Sequence, residues 1–351
     1  MRKILIILLV FIIICFSIPI SLTKQFGKAN ETTTTDVPVE AKPEEVENNY
    51  SQSPEIKQYN YQNYGTVKVL HTKTNQIDEI PIDEYLYGVV SAEMPVNFEI
   101  EALKAQAIVA RTYTIYKILQ NSGKHAQADI CDASTCCQAW ISKDDRIQKW
   151  KENTDESISS NPDANWNKIV TAVEETKGKI ITYNGEPINA FFHSNSGGMT
   201  EIPLNVWGGS GYSYLQAVAT SGEDAYTQYS SELVIAKNDF IKKISSKHSD
   251  FIIDLADENQ LKVLEYTEGG RVKTIQIGNL QLSGVEVRNI LGLRSANFNV
   301  TVESENIRFA VTGYGHGVGM SQTGADSLAK QGNTAEQIVS HFYSGVQLTQ
   351  I

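Results

Sequence analysis

The chain has 351 residues, a formal net charge of −11 and 41% hydrophobic residues. This size is enough for one large domain or for two lobes that share an interface. The negative charge argues against nucleic acid as a partner, because phosphate binding needs a basic surface, and it leaves a sugar polymer open.

The first 22 residues predict a membrane anchor. Arg2 and Lys3 precede an uncharged run of 19 residues, 4–22, which is long enough to span a hydrocarbon core as a helix. The leading positive charge favours a cytoplasmic N-terminus. The alternative is a cleaved signal peptide, but the run is long for one and lacks an Ala-x-Ala-like cleavage site. We therefore expect a single-pass membrane protein whose catalytic domain is extracytoplasmic.

Residues 23–63 are predicted to form a disordered acidic linker. They are rich in Thr, Glu, Pro, Asn and Gln, and residues 31–55 carry seven acids against one lysine. Such a segment cannot bury enough apolar surface to offset its ordering entropy. We expect it to hold the folded part, residues 64–351, away from the membrane.

The folded part is predicted to be strand-rich, with a few packed helices. Alternating residues predict strands at 65–70 and 76–81, the second of which leads into an apolar stretch at 85–90. An apolar stripe predicts a helix from Asn97, a plausible cap, to about residue 120. A second helix is expected around 166–173.

Turn signals predict three hairpins in the second half of the chain. Asn184-Gly185 and Glu268-Gly269-Gly270 each separate two strand-like runs, and a third pair of runs covers 298–311. The pattern Thr334-x-x-Gln337 is typical of a capping box and predicts a last helix. Because strands and helices are grouped, we expect an α+β fold rather than a wound parallel sheet.

Three segments, 91–95, 192–198 and 313–322, concentrate polar residues and glycines where strands and helices are predicted to end. Glycine allows a backbone to approach a ligand closely or to adopt unusual angles. Neither glycine-rich segment matches a phosphate-binding signature, so nucleotide chemistry is not expected. These segments are the candidate site.

Four blocks of the sequence resemble the stage II sporulation protein D family. They are Glu93-Met94-Pro95, the helical run 102–113, the segment 193–198 and the segment 315–325. The similarity covers about residues 64–349, with the blocks in the family's order. The resemblance implies a lytic transglycosylase that acts on peptidoglycan during forespore engulfment, at the mother cell's engulfing membrane. It also implies partnership with the stage II sporulation proteins P and M, and preference for strands whose stem peptides an amidase has removed.

Glu93 is the expected catalytic acid/base. Glycoside cleavage usually requires two carboxylates, but a lytic transglycosylase needs one, because the muramic acid's own 6-hydroxyl attacks C1. The apolar neighbours of Glu93 at 89–95 are expected to raise its pKa, as a proton donor requires. A lone glutamate before a helix is otherwise a capping or surface acid, and Glu99 and Glu101 suit the helix dipole. Only the resemblance separates Glu93 from them.

Eight residues are expected to contact the substrate: Lys104, Arg111, His193, Ser194, Asn195, Tyr314, His316 and Gln322. The first two lie two turns apart on one helix face, where an ordinary solvated face is the alternative. Adjacent strand residues point to opposite faces, so His193 and Ser194 are not expected to form a nucleophilic pair. His316 is either a sugar contact or a buried support for its loop. Tyr314 either stacks on a sugar or packs in the core.

His125, Cys131, Cys136 and Cys137 predict a metal site. Three thiols and an imidazole suit tetrahedral Zn²⁺ in a structural role, and Cys136 is the least certain ligand because adjacent cysteines are awkward partners for one ion. The alternative is a Cys131–Cys136 or Cys131–Cys137 disulfide, which is plausible outside the cytoplasm. The odd cysteine count and the nearby histidine favour zinc. The family resemblance does not itself imply this site.

Other functions remain open beside the transglycosylase. A non-catalytic wall-binding scaffold of the engulfment machinery would grip glycan without cutting it. A hydrolytic muramidase would leave reducing ends in place of anhydro ends. A zinc peptidase is a weaker alternative, because no H-E-x-x-H motif occurs and the metal set is rich in sulfur.

Overall fold

The computed structural model describes residues 59–120, 124–125, 127–209 and 212–351. The predicted membrane anchor and most of the predicted linker lie outside the described residues. Among the residues that are described, no helix is both long and apolar enough to cross a membrane. Tyr61–Tyr64 form a 3-10 helix in which Tyr64 is buried, so the folded part begins before residue 64.

The described chain mixes helices with short strands. The helices are α1 Ile82–Glu93, α2 Ile100–Gln120, α3 Lys143–Lys151, α4 Glu156–Ser159, α5 Pro162–Glu174, α6 Pro203–Trp207, α7 Lys237–Ser245, α8 Gly284–Leu291, α9 Gln322–Lys330 and α10 Ala335–Phe342. The strands are β1 Thr66–His71, β2 Gln76–Pro81, β3 Ile130–Cys131, β4 Lys179–Tyr183, β5 Glu186–Pro187, β6 Phe192–His193, β7 Ser230–Ala236, β8 Leu261–Tyr266, β9 Val272–Ile277, β10 Leu280–Leu282, β11 Phe298–Val302, β12 Asn306–Thr312, β13 Met320–Ser321 and β14 Gln347–Gln350.

The strands pair into small sheets rather than one large one. Their orders are β2-β1-β3, β14-β4-β5, β10-β9-β8, β11-β12-β7 and β13-β6. All pairs are antiparallel except β1 with β3 and β6 with β13. This arrangement confirms the predicted α+β class and excludes a wound parallel sheet within the described residues.

The Asn184-Gly185 turn and the Thr334-x-x-Gln337 helix start are confirmed, and both depend on residues that are adjacent or nearly adjacent in sequence. Asn184 and Gly185 have φ values of 51° and 80°, as the two central residues of a type I′ hairpin turn require. The strand after this turn is shorter than predicted, because the chain leaves β4 after Pro187 and β6 pairs elsewhere. Thr334 and Gln337 form the predicted capping box.

The main hydrophobic core surrounds α2. This helix is buried on nearly all sides and packs against α1, α5, α9, α10 and β4. Alanines 102, 105, 107 and 110 have no exposed surface, and their small side chains let the neighbouring helices approach closely. The sequence predicted a one-sided apolar stripe, whereas the helix is the centre of the fold.

A second core lies in the stretch from β7 to β12. It consists of 15 buried side chains between Ile235 and Val311. Phe240, Phe298 and Phe309 are its largest members, with ring centroids 5.6 to 6.1 Å apart for the contacting pairs. The folded chain therefore contains a main lobe and a smaller lobe inserted between α6 and β13.

One helix was not recognised in the sequence pattern. The apolar stretch 85–90 follows strand β2, as expected, and forms the middle of helix α1, which the sequence analysis did not predict. Its buried residues recur with helical spacing, and the helix packs against α2. The stretch 85–90 contains no charged residue, so the sequence does not show the alternation of polar and apolar sides that marks a helix. Helix α2 begins at Ile100 rather than beside Asn97.

Candidate functional site

Glu93 is the last residue of α1, and its carboxyl opens into a cleft. The helix ends there because Met94 turns to an extended conformation while its N–H still bonds to the carbonyl of Val90. Pro95 follows and cannot continue a helix. The end of α1 thus points a single carboxylic acid into the cleft, with one of its faces covered by protein.

The loop 138–141 holds Glu93 in place. The backbone N–H of Ala139 donates to Glu93 Oε1 over 2.5 Å. Gln138 anchors the loop, since its side-chain amide donates to the Tyr85 hydroxyl and the Thr114 Oγ1, each over 2.9 Å. The loop approaches so closely because Gly88 has no side chain; a Cβ there would lie 2.2 Å from the Trp140 ring nitrogen.

The environment of Glu93 favours its protonated form. Burial raises the pKa of Glu93, and the hydrogen bonds from Ala139 and Gln322 oppose this rise without cancelling it. The carboxyl also lies at the negative end of the α1 dipole, which disfavours the charged form. A raised pKa is the direction of shift that a general acid requires, because it increases the fraction of the carboxyl that carries a proton.

The two glycine-rich segments meet beside Glu93. Strands β6 and β13 pair in parallel, with Met320 opposite Phe192 and Ser321 opposite His193. Gly319 permits this pairing, because its φ is 72° and a Cβ there would lie 1.9 Å from the Phe191 carbonyl oxygen. The pairing brings Ser194 and Gln322 into the lining of the cleft.

Gln322 links Glu93 to the central helix. Its side-chain nitrogen lies 3.4 Å from Glu93 Oε2 and 3.4 Å from Gln106 Oε1. Gln322 is also the first residue of α9, whose N-cap is the Ser321 hydroxyl. The predicted position of Gln322 in the site is therefore supported by its contact with the acid.

Glu223 joins the two glycine-rich segments from below, and sequence reasoning missed it. Its carboxylate accepts hydrogen bonds from the Ser196 and Gly198 backbone, each over 3.0 Å. It also accepts from the hydroxyls of Ser196, Thr220, Ser321 and Thr323. In the sequence, Glu223 is an acid beside Asp224 that belongs to no motif, so nothing in the local pattern indicates that it holds the two glycine-rich segments together.

The cleft has a volume of about 370 Å³. Residues from α1, from the stretch 146–158 and from the two glycine-rich segments line it, including Ser91, Glu93, Arg146, Lys149, Trp150, Asn153, Ser194, Gln228, Gln322 and Thr323. Helix α3 contributes Arg146, Lys149 and Trp150. Helix α3 was not predicted, although the Ser142-x-x-Asp145 cap and the apolar Ile147 and Trp150 indicate a helix there.

Lys104 and Arg111 do not reach the cleft. Lys104 forms ion pairs with Glu101 and Glu175, at 2.8 and 2.6 Å. Arg111 is fully buried and donates to the carbonyls of Val173 and Thr176, at 3.1 and 2.8 Å. The Val173 carbonyl is in the last turn of α5, and Thr176 lies just beyond the end of that helix. Arg111 therefore stabilises the fold, and neither Arg111 nor Lys104 lines the cleft, in contrast to the prediction that both contact the substrate.

His193 and Asn195 lie beneath the cleft rather than in it. His193 is 4% exposed, and burial lowers its pKa to about 4, so the ring is neutral near pH 7. Asn195 is 1% exposed and donates to the Thr323 hydroxyl over 2.9 Å. Both residues support the segment that carries Ser194, which is the member of this trio that lines the cleft.

Tyr314 and His316 lie away from Glu93, near the smaller lobe. Tyr314 is 43% exposed, with the Arg294 guanidinium 5.0 Å from its ring centre. His316 packs against Trp207, with ring centres 5.1 Å apart, and burial holds its pKa well below its usual value. Of the two alternatives for His316, the structure favours support of the loop.

The four predicted metal ligands come together in one cluster. The ligand atoms of His125, Cys131, Cys136 and Cys137 all lie within 4.8 Å of one another. His125 Nε2 is 3.5 Å from Cys136 Sγ and 3.4 Å from Cys137 Sγ, and the two sulfurs are 3.9 Å apart. A tetrahedral ion held by sulfur at ~2.3 Å and nitrogen at ~2.0 Å would space its ligands about 3.5 to 3.8 Å apart. The donor set therefore fits a metal ion, and Cys136 belongs to it.

Cys131, Cys136 and Cys137 are free thiols in this arrangement, so neither of the two disulfides considered as alternatives to the metal site is formed. Burial lowers the pKa of His125, which favours the neutral imidazole that binds metals. Cys131 is fixed by the parallel pairing of β3 with β1, opposite Leu70. The cluster closes the loop that, two residues after Cys137, presents the Ala139 N–H to Glu93.

Comparison with known proteins identifies relatives over most of the chain. The family model described as "Stage II sporulation protein" matches residues 70–183. The stage II sporulation protein D of Bacillus subtilis (strain 168) is 34% identical over 81% of this chain and 79% of its own. That of Bacillus amyloliquefaciens matches to the same extent. The amidase enhancer of Bacillus subtilis (strain 168) is 29% identical over 75% of this chain and 40% of its own.

Proposed function

We infer that this chain, which belongs to the stage II sporulation protein D family, is a peptidoglycan lytic transglycosylase with Glu93 as its catalytic acid/base. The proposal rests chiefly on one observation. Glu93 is the only carboxylic acid among the described residues that line the cleft, and burial raises its pKa.

A single carboxyl distinguishes between the possible glycosidase mechanisms. Hydrolases that use two carboxylates place them about 5 to 9.5 Å apart across the scissile bond. A lytic transglycosylase needs one acid, because the nucleophile is a hydroxyl of the substrate itself. The lone Glu93 therefore supports a transglycosylase over a hydrolytic muramidase.

The proposed reaction has two proton transfers through one group. Glu93 donates its proton to the glycosidic oxygen, and the bond between C1 of N-acetylmuramic acid and that oxygen breaks. The carboxylate then accepts the proton of the 6-hydroxyl as O6 bonds to C1, which gives a 1,6-anhydromuramoyl end and restores the acid. A positioned acid/base of this kind contributes about 10²- to 10⁴-fold to the rate.

We assign zinc to the His125, Cys131, Cys136 and Cys137 cluster, in a structural role. A sulfur-rich tetrahedral set is typical of structural zinc sites. When bound, the ion would cross-link the loop 125–137. The protein's own contribution to catalysis at this point is the Ala139 N–H, which fixes the orientation of the Glu93 carboxyl.

The biological setting is also a proposal. We place the protein in the mother cell's engulfing membrane, anchored by residues 1–22 and extended by the linker 23–63, where it would act on peptidoglycan during sporulation. Stage II sporulation proteins P and M are the proposed partners. One relative is named as an amidase enhancer, which supports an association with amidase action on the wall.

The decisive test is product analysis with the full-length protein. Purified peptidoglycan, with and without prior amidase treatment, is incubated with the wild type, with Glu93→Gln and with Glu99→Gln, and the products are identified by mass spectrometry. Glu99 is a suitable control because it is an exposed glutamate a few residues away. We expect anhydromuramoyl products from the wild type and Glu99→Gln, and their loss in Glu93→Gln.

Other outcomes would identify the alternatives. Products with reducing ends would indicate a muramidase. Binding to the wall without any product, even at high protein concentration, would indicate a scaffold. If Glu93→Gln cuts as well as the wild type, the assignment of Glu93 is wrong.

A further inference from the structure

The cleft beside Glu93 contains two cations that no acid neutralises. Arg146 and Lys149 both line it. They lie three residues apart on α3 and so share one helix face. Neither forms an ion pair with any residue that the structure describes, although other lysines and arginines of this acidic chain do. Two cations without counter-charges on one wall of a cleft favour an anionic ligand.

Arg146 is built into the wall of the cleft rather than extended into solvent. It is half-buried, and its guanidinium lies 5.7 Å from the ring centre of Trp150, one turn further along α3. Its Nε is buried and has no hydrogen-bond partner among the described residues. Burial lowers its pKa, as expected of a charge removed from water without a counter-charge. The guanidinium is therefore a positive charge in the cleft wall that has no counter-charge among the described residues.

We propose that Arg146, assisted by Lys149, binds the lactyl carboxylate of the muramic acid ring, and that this contact is the physical source of the preference for stripped strands that the family resemblance implies. The inference rests on the proposed function, because it takes the glycan strand as the ligand of the Glu93 cleft. Both residues act here as specificity determinants and not in the proton transfers.

The chemistry of the substrate supports this assignment. In an intact strand the lactyl group is joined to the stem peptide by a neutral amide. An amidase cuts that amide and leaves a carboxylate on O3 of the same ring whose C1 reacts at Glu93. Arginine recognises a carboxylate with two parallel hydrogen bonds. The selectivity would thus follow from a charge that appears only after amidase action.

The test uses substrates that differ only in this charge. Amidase-stripped strands are compared with the same strands after the lactyl carboxylate has been converted to a methylamide, and with intact peptidoglycan. The variants are Arg146→Gln, Lys149→Gln and the double variant, with Lys151→Gln as the control. Lys151 is exposed on the same helix and does not line the cleft.

We expect the wild type and Lys151→Gln to prefer the carboxylate over the methylamide by roughly 10- to 100-fold in kcat/KM, the effect of one charge-assisted hydrogen-bonded pair. In Arg146→Gln the rate on the carboxylate should fall more than the rate on the methylamide, so that the ratio approaches 1. An unchanged ratio in the double variant would overturn the proposal. If the cation variants impair only the cleavage of intact peptidoglycan, the recognised carboxylate belongs to the stem peptide and the proposal is equally wrong.

Binding separates this inference from the proposed function. Co-sedimentation of Glu93→Gln with stripped and with methylamidated strands measures recognition without turnover. If the wild type releases no anhydro product, the transglycosylase proposal fails, while preferential binding of the stripped strands by the Arg146-containing protein would still support carboxylate recognition. Equal binding of both strands would refute it. Circular dichroism of each variant shows whether it is folded.

Discussion

Replacement of Glu223 by glutamine is expected to lower the free energy of unfolding by about 3 kcal/mol. Burial alone would raise the pKa of Glu223, but the hydroxyl and amide donors around it outweigh burial and lower it to about 2, from an ordinary value of 4.5. Because one pKa unit corresponds to ~1.4 kcal/mol, this gap is worth about 3 kcal/mol to the folded state at neutral pH. Glu223 is 1% exposed, so solvent screening is slight.

The geometry explains why glutamine is a poor substitute. The Ser196 N–H donates to Oε1 of Glu223, and the Gly198 N–H donates to Oε2. Whichever way the amide of glutamine is turned, its NH₂ group faces one of these backbone donors. A backbone N–H at a buried site is then left without an acceptor.

Urea unfolding at several pH values provides the assay, with Glu258→Gln as the control because Glu258 is exposed. Since the folded pKa is below the unfolded pKa, the stabilisation is complete above about 4.5 and is lost as the pH falls towards 2. The difference between the wild type and Glu223→Gln should therefore be largest near pH 7 and should narrow below 4.5. A loss under about 1 kcal/mol at pH 7, or a difference that widens in acid, would refute the argument.

Three further predictions concern the remaining buried groups. Arg111→Met should lower the free energy of unfolding by about 3 kcal/mol, because it removes two buried hydrogen bonds from a charged group to the Val173 and Thr176 carbonyls, whereas Lys104→Met should cost under about 1 kcal/mol; similar losses in urea unfolding would contradict this. Cys137→Ser should reduce the bound metal measured by elemental analysis, and should lower anhydro-product formation by roughly tenfold or more by displacing the Ala139 N–H; full activity without metal would contradict it. The rate of product formation should fall as the pH rises through the raised pKa of Glu93, because the acid must be protonated; a pH profile that keeps rising would contradict it.

The parts of the fold that were predicted from sequence are those decided by local chemistry. Asn184-Gly185 tolerates positive φ, and Thr334 with Gln337 can satisfy helix N–H groups whatever surrounds them. Helix α1 was missed because it is covered on more than one side, which removes the polar spacing that marks a helix. Two lobes were one of the two possibilities that the chain length allowed, but the boundaries of the inserted lobe at β7 and β12 were not predicted, since they have no linker composition.

The site was predicted where residue type alone limits the chemistry. Three thiols and an imidazole close together in sequence favour either a metal site or a disulfide, and the ligand atoms of all four residues lie close together in the structure. The prediction for Arg111 was wrong, because a cation on a helix usually faces solvent or a ligand. Its actual partners are carbonyls at the end of α5, some sixty residues away in sequence. Such contacts depend on tertiary packing and leave no mark on the local pattern.

The acid and the metal cluster are joined by one short loop. Gly88 allows this loop to press against α1, and the Cys137 end of the loop is held by the cluster. The Ala139 N–H then fixes the Glu93 carboxyl from the protein side, while the cleft side stays open to substrate. If the proposed zinc is bound, it would therefore influence the proposed reaction without taking part in the proton transfers, because it would fix the loop that orients the one carboxyl of the cleft.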